Sequence, residues 1–209
     1  MLAILDYGAG NLRSVEKAFR FLGCDTEVVR SPEELMRAEG AVLPGVGAFG
    51  DSMDCLEKYN LTEAIREFST SGRPFLGICL GLQLLFEESE ESPGKKGLGI
   101  LKGKIQRIPA GEELKIPHMG WNSLCLKNRG GLYEGLPEHP YVYFVHSYYL
   151  HAEDAGIVSA QTEYGVKVDA AVQTGNLHAV QFHPEKSGQI GLKMLENFAR
   201  MVKNPGMAR

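Results

Sequence analysis

The sequence predicts an α/β fold, with a mostly parallel central sheet flanked by helices and additional antiparallel strands in the C-terminal half. Two observations carry the first part of that expectation. Over the first ninety residues, short apolar runs alternate with segments whose apolar residues recur at helical spacing, and Gly- and Pro-containing turn signals separate them. Strand–helix alternation of this kind implies right-handed crossovers onto a parallel, buried sheet. The third observation is a change of texture after about residue 98, where strand-like segments follow one another closely.

The elements can be justified in order. Leu2-Ala3-Ile4-Leu5 is a short apolar strand, ended by the turn signal Gly8-Ala9-Gly10. Leu12, Val15, Ala18, Phe19 and Leu22 then recur at helical spacing, with Asn11 as N-cap and Gly23 as the stop. Thr26 to Val29 reads as a second strand. Ser31-Pro32-Glu33-Glu34 is a capping box with proline at the first helical position. Ala41-Val42-Leu43 forms a third strand running into Pro44-Gly45-Val46-Gly47, helical patterns cover roughly residues 51–70, and a fourth strand spans Phe75 to Ile78. Later, Lys104–Ile108, Tyr141–Val145, Val158–Thr162, Val168–Gln173 and Leu177–Phe182 read as hairpin strands. A closing helix from about Gln189 to Val202 presents Ile190, Met194, Leu195, Phe198 and Met201 on one face. With no internal repeat, low-complexity tract or linker, residues 1–209 read as a single domain.

Bulk properties narrow the function. The 209 residues are 44% hydrophobic and 23% charged, with net charge −4. A chain of this length buries roughly 70% of its unfolded surface and needs no disulfide or metal to fold. The acidic balance argues against nucleic acid as a partner. No apolar run approaches the ~20 residues of a membrane helix, and the N-terminus lacks a basic, cleavable leader. Cys24, Cys55, Cys79 and Cys125 are scattered, as in a reducing compartment. A cytoplasmic protein is expected. Gly8-Ala9-Gly10 suggests a dinucleotide loop, but Arg13 occupies its third glycine position, so no cofactor is expected. His146 and His151 lack metal-ligand spacing, so no metal is expected either.

Gly77-Ile78-Cys79-Leu80-Gly81 is the strongest chemical signal. It sits between an apolar strand and the helical run Leu82–Phe86, as a cysteine version of the nucleophile elbow. Such a turn strains the nucleophile's backbone, needs small residues two positions either side, and projects the side chain at the C-terminal edge of the sheet. A buried structural cysteine ending a core strand is the alternative. His183-Pro184-Glu185 offers a base and its orienter. In an extended segment, residues two apart share a face, and Pro184 would keep the segment extended. Alone, the tripeptide is equally a polar turn. Acyl transfer also needs N–H donors for a developing oxyanion. Leu80, following the nucleophile, supplies one, and the Pro44–Gly47 loop with Val46 supplies a second, unless that loop is a plain strand-to-helix turn.

Gly77–Gln83 and Gln181-Phe182-His183-Pro184-Glu185 resemble the paired signatures of the class I, triad-type glutamine amidotransferases. Asp6–Leu12, Pro44–Gly50, Pro117–Asn122 and His146–Tyr149 narrow the resemblance to the glutaminase subunits of imidazole glycerol phosphate synthases, with every motif in order and no departure at a catalytic position. The resemblance implies a flavodoxin-like sheet and hydrolysis of glutamine to glutamate and ammonia. It implies a heterodimer with a (β/α)₈-barrel cyclase, which uses the ammonia to make imidazole glycerol phosphate and an aminoimidazole carboxamide ribotide in histidine biosynthesis. Carried over, Cys79 is the nucleophile, His183 the acid/base and Glu185 its orienter, with Val46 and Leu80 as oxyanion donors. Gly45, Gly47, Gln83, Ser147 and Tyr148 would bind glutamine. Met119, Trp121 and Lys186 look partner-facing, although an exposed lysine and a half-buried Met and Trp read equally well as ordinary surface. A stand-alone γ-glutamyl hydrolase and a non-catalytic glutamine-binding regulatory subunit are the competing functions; the second would usually have lost part of the triad.

Overall fold

The computed structural model describes residues 1–8, 11–111 and 114–204; Ala9 and Gly10 of the first turn signal lie outside these. The first half runs β1 (Leu2–Leu5), α1 (Leu12–Phe21), β2 (Thr26–Val29), α2 (Pro32–Met36), β3 (Gly40–Gly45), α3 (Phe49–Lys58), α4 (Leu61–Thr70), β4 (Phe75–Cys79) and α5 (Leu80–Leu84). The second half adds β5 (Glu88–Ser89), β6 (Gly103–Arg107), β7 (His118–Ser123), β8 (Cys125–Leu126), β9 (Tyr141–His146), β10 (Tyr148–Ala152), β11 (Val158–Tyr164), β12 (Val166–Thr174), β13 (Leu177–Val180) and α6 (Gly188–Lys203).

Among the described residues the main sheet has the order β2-β1-β3-β4-β13-β12-β11-β8. Pairing is parallel from β2 to β13 and antiparallel from β13 to β8. This is the expected α/β sheet with an antiparallel extension. The apolar runs of the early strands are continuous because both sheet faces are covered. Ala3 and Leu5 pack on one side with Leu35, Leu61, Phe68 and Leu82. Leu2 and Ile4 pack on the other with Phe19, Leu195 and Phe198.

Local signals behave unevenly. The capping box at Ser31 forms in full, with the Ser31 side chain accepting from Glu34 N–H and the Glu34 carboxylate accepting from Ser31 N–H. Asn11 does occupy the N-cap of α1, but its side chain makes no cap bond and instead donates to Ser14 Oγ at 2.8 Å. The helical patterns expected over roughly residues 51–70 are α3 and α4, separated at Asn60, which is left-handed at φ +56°. The N-terminus of α3 carries no local cap; Glu91 and Ser92, distant in sequence, accept from Phe49 and Gly50 N–H at 2.8 and 3.0 Å.

Several expected strands pair differently from simple neighbours. Val158–Thr162 and Val168–Gln173 do form a hairpin, turning at Gly165 (φ +67°). The expected strand at Lys104–Ile108 is β6, which pairs with the distant β10 rather than in a hairpin, forming a small sheet with β5. The strand at Tyr141 pairs with β7, a segment not expected to be extended, because Gly120 in its middle hides the alternation. The helical run expected at Leu82–Phe86 begins and ends earlier, as Leu80–Leu84, with no loop after β4.

That absent loop demands close approach. A Cβ on Gly81 would lie 1.9 Å from the Leu43 carbonyl oxygen, a backbone atom that cannot swing aside. Gly94, by contrast, has φ +87° and open space around it. Gly81→Ala is therefore expected to destabilise by about 3 kcal/mol, through overpacking against backbone, and Gly94→Ala by only about 1 kcal/mol, through strain at positive φ. Urea unfolding of both variants checks the order; equal losses would show that the β3–α5 contact is slack.

Candidate active site

The elbow at Cys79 exists and is strained. Cys79 ends β4 at φ +55°, ψ −107°, a conformation rare for a residue with a side chain. Neighbouring small residues permit it. A Cβ on Gly77 would lie 2.9 Å from the Gly81 carbonyl oxygen, and one on Gly45 would lie 2.6 Å from the Tyr7 hydroxyl and 2.8 Å from Leu80 Cβ. Gly45 is paired with Cys79 in the sheet, which brings the Pro44–Gly47 loop beside the cysteine. The buried Tyr7 hydroxyl donates to the Pro44 carbonyl at 2.9 Å and holds that strand end in place.

His183 reaches Cys79 from the opposite strand. β13 lies parallel to β4, and the chain leaving it passes through Gln181, whose N–H donates to the Ala170 carbonyl at 2.8 Å, before reaching His183. The backbone there is clamped on both sides. His183 N–H donates to the Tyr143 carbonyl at 2.9 Å, while Ser187 Oγ accepts from Tyr143 N–H at 3.0 Å and donates to the His183 carbonyl at 2.6 Å.

His183 Nδ1 meets Glu185 Oε1 at 2.8 Å, with both side chains almost wholly buried. The expected route to this contact was wrong. The strand stops at Val180, and Pro184–Lys186 is a turn of 3₁₀ helix rather than an extended segment. Proline opens that helical turn, where its missing N–H costs nothing, and the tightness of the turn brings Glu185 back onto the ring of His183. Burial disfavours a charged imidazole here, but the Cys79 sulfur and then the Glu185 carboxylate outweigh it, and the His183 pKa is pushed up to about 10.

Cys79 and His183 open into one cleft of about 410 Å³, whose walls include Val46, Gly47, Leu80, Gln83, Ser147, Tyr148 and Lys186. Most of the expected substrate residues are thus brought together. Gly45 is not on the cleft wall; it lines a much smaller space behind it, with Glu185 and Val15. Val46 is exposed and Gly47 sits at φ +108°. Met119 and Trp121 are not on the cleft wall; they stand on the exposed face of the β7–β9 ribbon, 62% and 56% exposed. Tyr141 and Tyr143 extend that apolar face, with Tyr143 edge-on to Trp121. Sequence reading missed Glu91 and His146 in the cleft wall. It also missed Gln181, whose amide donates to Cys79 Sγ at 3.7 Å. Its place two residues before His183, in the same strand exit, was the available signal.

The sequence profile of the class I glutamine amidotransferases matches residues 3–202. The chain belongs to the class I glutamine amidotransferase family. Among its relatives, a protein of Desulfitobacterium hafniense named imidazole glycerol phosphate synthase subunit HisH is 52% identical over 202 residues, which cover 97% of this chain and 95% of the relative. A protein of the same name from Methanothermobacter thermautotrophicus is 51% identical, covering 97% and 100%. In fold, the amidotransferase-family chain resembles the structure of PurLQS from Thermotoga maritima, with TM-score 0.76 at 20% identity over 96% of this chain and 98% of that one. A crystal structure described as a glutamine amidotransferase gives TM-score 0.75 at 20% identity, covering 97% and 98%. Among the described residues no helix is long and apolar enough to cross a membrane.

The histidines of this family member divide by charge. Burial holds His118, His146 and His178 neutral, with pKa values lowered to about 4, about 3 and about 4 from an ordinary 6.5. Below pH 6.5 the unfolded chain binds protons that the folded one refuses, so stability falls as pH drops towards 4. His183 has the opposite sign: its contribution is complete below pH 6.5 and is lost as pH rises through about 10. The urea midpoint is expected to fall between pH 6.5 and 4.5, and His178→Leu, which removes a ring with an unpartnered buried Nε2, is expected to flatten the slope. A slope unchanged by that substitution would remove His178 from the account.

Proposed function

We propose that this chain hydrolyses glutamine to glutamate and ammonia with Cys79, His183 and Glu185, and passes the ammonia to a cyclase subunit of the (β/α)₈-barrel type. That subunit would make imidazole glycerol phosphate and aminoimidazole carboxamide ribotide in histidine biosynthesis. The observation that carries the chemistry is the strained cysteine sharing a cleft with an imidazole whose far nitrogen is held by a buried carboxylate. The relatives' name supports the biosynthetic setting.

In this reading Cys79 attacks the side-chain amide carbon of glutamine as a thiolate, with the proton resting on His183. The oxyanion takes hydrogen bonds from the Leu80 N–H and from the Val46 N–H of the neighbouring loop. His183 gives its proton to the nitrogen as the C–N bond breaks, ammonia leaves, and a γ-glutamyl thioester remains on Cys79. A water molecule, deprotonated by His183, attacks the thioester; glutamate departs and the thiol is restored. Glu185 keeps the imidazole in one orientation and stabilises its charged form throughout. Gln83, Ser147, Tyr148 and Gly47 bind the amino-acid end of glutamine, while Gly45 serves by letting the loop approach Leu80 closely. The apolar face of Met119 and Trp121, with Lys186 at the cleft wall, meets the cyclase. Trp121 lies against Gly188, where α6 begins just beyond the Glu185 turn, so this face and the triad share one support. Ammonia is mostly protonated and non-nucleophilic at neutral pH, which favours delivery at that interface over release to solvent.

Assayed with its cyclase, Cys79→Ala is expected to abolish glutamine-dependent synthesis while synthesis from added ammonium salt continues. His183→Ala is expected to be nearly as severe, since triad members act as a unit. Glu185→Gln should retain more activity, because it keeps a hydrogen-bonding partner and loses only the charge. Glutaminase activity persisting in Cys79→Ala, or Glu185→Gln proving the worst of the three, would overturn these roles. Glutamine turnover that is equally fast with and without the cyclase would favour a stand-alone γ-glutamyl hydrolase.

A further inference from the structure

The mechanism above makes no use of His118 and His146, although both are buried beside the cleft. They stand directly opposite each other on β7 and β9, with His118 Nδ1 and His146 Nε2 3.0 Å apart. His118 is held flat between Phe144 and Tyr164, at ring separations of 4.6 and 3.9 Å.

The partners at either end determine where every proton lies. His146 Nδ1 is 2.9 Å from the Tyr148 carbonyl, which only accepts, so Nδ1 carries the hydrogen. In a neutral ring Nε2 then accepts, and His118 Nδ1 must be its donor. That leaves His118 Nε2 as an acceptor, facing the Asn122 amide nitrogen at 3.4 Å. The Asn122 amide cannot be reversed, because its oxygen accepts from Ser123 N–H at 2.8 Å and its nitrogen donates to the Glu163 carbonyl at 3.0 Å. All donors in the row point from β7 toward the cleft.

On the cleft side the same Tyr148 carbonyl accepts from Gln83 Nε2 at 3.1 Å, and that nitrogen also donates to Gln181 Oε1 at 3.0 Å. Both amide hydrogens of Gln83 are thereby used, and its oxygen is the group left for the cleft. An acceptor there suits the α-ammonium of an amino acid. Gln181 in turn donates to Cys79 Sγ, so a second set of donors leads from Gln83 to the nucleophile, and the Tyr148 carbonyl accepts from both sets.

We propose that His118 and His146 are positioning residues of the glutamine pocket. They are two neutral imidazoles, both protonated on Nδ1, whose one-way donor row pins the Tyr148 carbonyl and with it the orientation of Gln83. The inference rests on reading the cleft as a glutamine site. The His146–Tyr148 bond closes the corner between β9 and β10 that carries Ser147 and Tyr148 into the cleft. The row tolerates no added proton: charging His146 would set its Nε2–H against the His118 Nδ1–H at 3.0 Å, and charging His118 would set its Nε2–H against the Asn122 amide N–H at 3.4 Å. Burial opposes that charge on both rings, and His146 also lies near His183, which repels a second positive charge. Tyr164 is the other titratable group against His118, and its hydroxyl is engaged elsewhere, donating to the Lys115 carbonyl.

Side-chain ¹H–¹⁵N spectra of the full chain, labelled at histidine, test the protonation pattern. Two rings are expected in the Nδ1–H form, neutral from pH 8 to pH 5; an Nε2–H form for either, or titration near the ordinary value, would overturn the proposal. Kinetics of the complex with its cyclase test the role. His118→Phe keeps the stacking and breaks the row, and is expected to raise the glutamine KM about tenfold, the equivalent of one hydrogen bond, with kcat within about threefold and ammonium-driven synthesis unchanged. His118→Gln, able both to donate and to accept, should recover most of the loss. An unchanged KM in His118→Phe would refute the positioning role. A wild-type complex with no glutamine turnover would instead refute the glutaminase reading, and the spectra would still decide the proton row.

Discussion

The contact on which the arrangement depends is the one between Gly81 and the Leu43 carbonyl. Because α5 starts the moment β4 ends, the chain must reverse within a residue, and Cys79 takes up the strain in its own backbone. A conformation of this kind costs on the order of 1–3 kcal/mol, and it persists because Gly77, Gly45 and Gly81 let three backbones close on one another. From that knot the cleft follows. β3 brings the Val46 loop to one side of the sulfur, β13 brings His183 to the other, and α5 carries Gln83 underneath.

Electrostatics around the knot are sorted with equal economy. Among the described residues His183 is the imidazole paired with a carboxylate, and its charge is favoured, whereas the neighbouring His146 and His118 are placed where burial excludes charge. A second imidazolium beside His183 would compete for the same negative partners. Neutral rings satisfy their hydrogen bonds in one direction only, which gives rigidity without adding charge. The protein thus uses one residue type for opposite purposes around one cleft, and the difference lies entirely in what each ring faces.

The sequence conveyed the parts of this whose causes are local. The strand and helix of β1 and α1, the box at Ser31 and the elbow at Cys79 each follow from a few adjacent residues, and each appears where the periodicity and spacing place it. The pairing of Cys79 with His183 followed from chemistry, since a nucleophile without a base is idle. What escaped depends on distant chain. Nothing near Ala48 announces that Glu91 and Ser92 cap α3, and nothing near Tyr141 announces that its strand partner is the glycine-interrupted His118–Ser123. The His183–Glu185 contact was anticipated for the wrong reason: proline after a strand favours an extended reading, and the 3₁₀ turn comes from Ser187 and Tyr143 clamping the backbone from outside. Gln181 lay in plain view beside His183, but only the fold shows that it faces sulfur.

The position of β13 in the sheet has a consequence for biosynthesis of the chain itself. This strand, which follows every other described strand in the chain, lies in the interior of the sheet, between β4 from the first half and β12 from the second. A ribosome working from the N-terminus releases β1 to β4 long before β13 exists. Until then β4 is an unpaired edge of apolar residues, the kind of edge that invites association with other chains. Closure waits for β13, and the same event that seals this edge delivers His183 to Cys79. The nascent chain therefore holds Cys79 without His183 beside it until the sheet is complete, and premature termination anywhere before Leu177 leaves both the edge open and the cysteine alone.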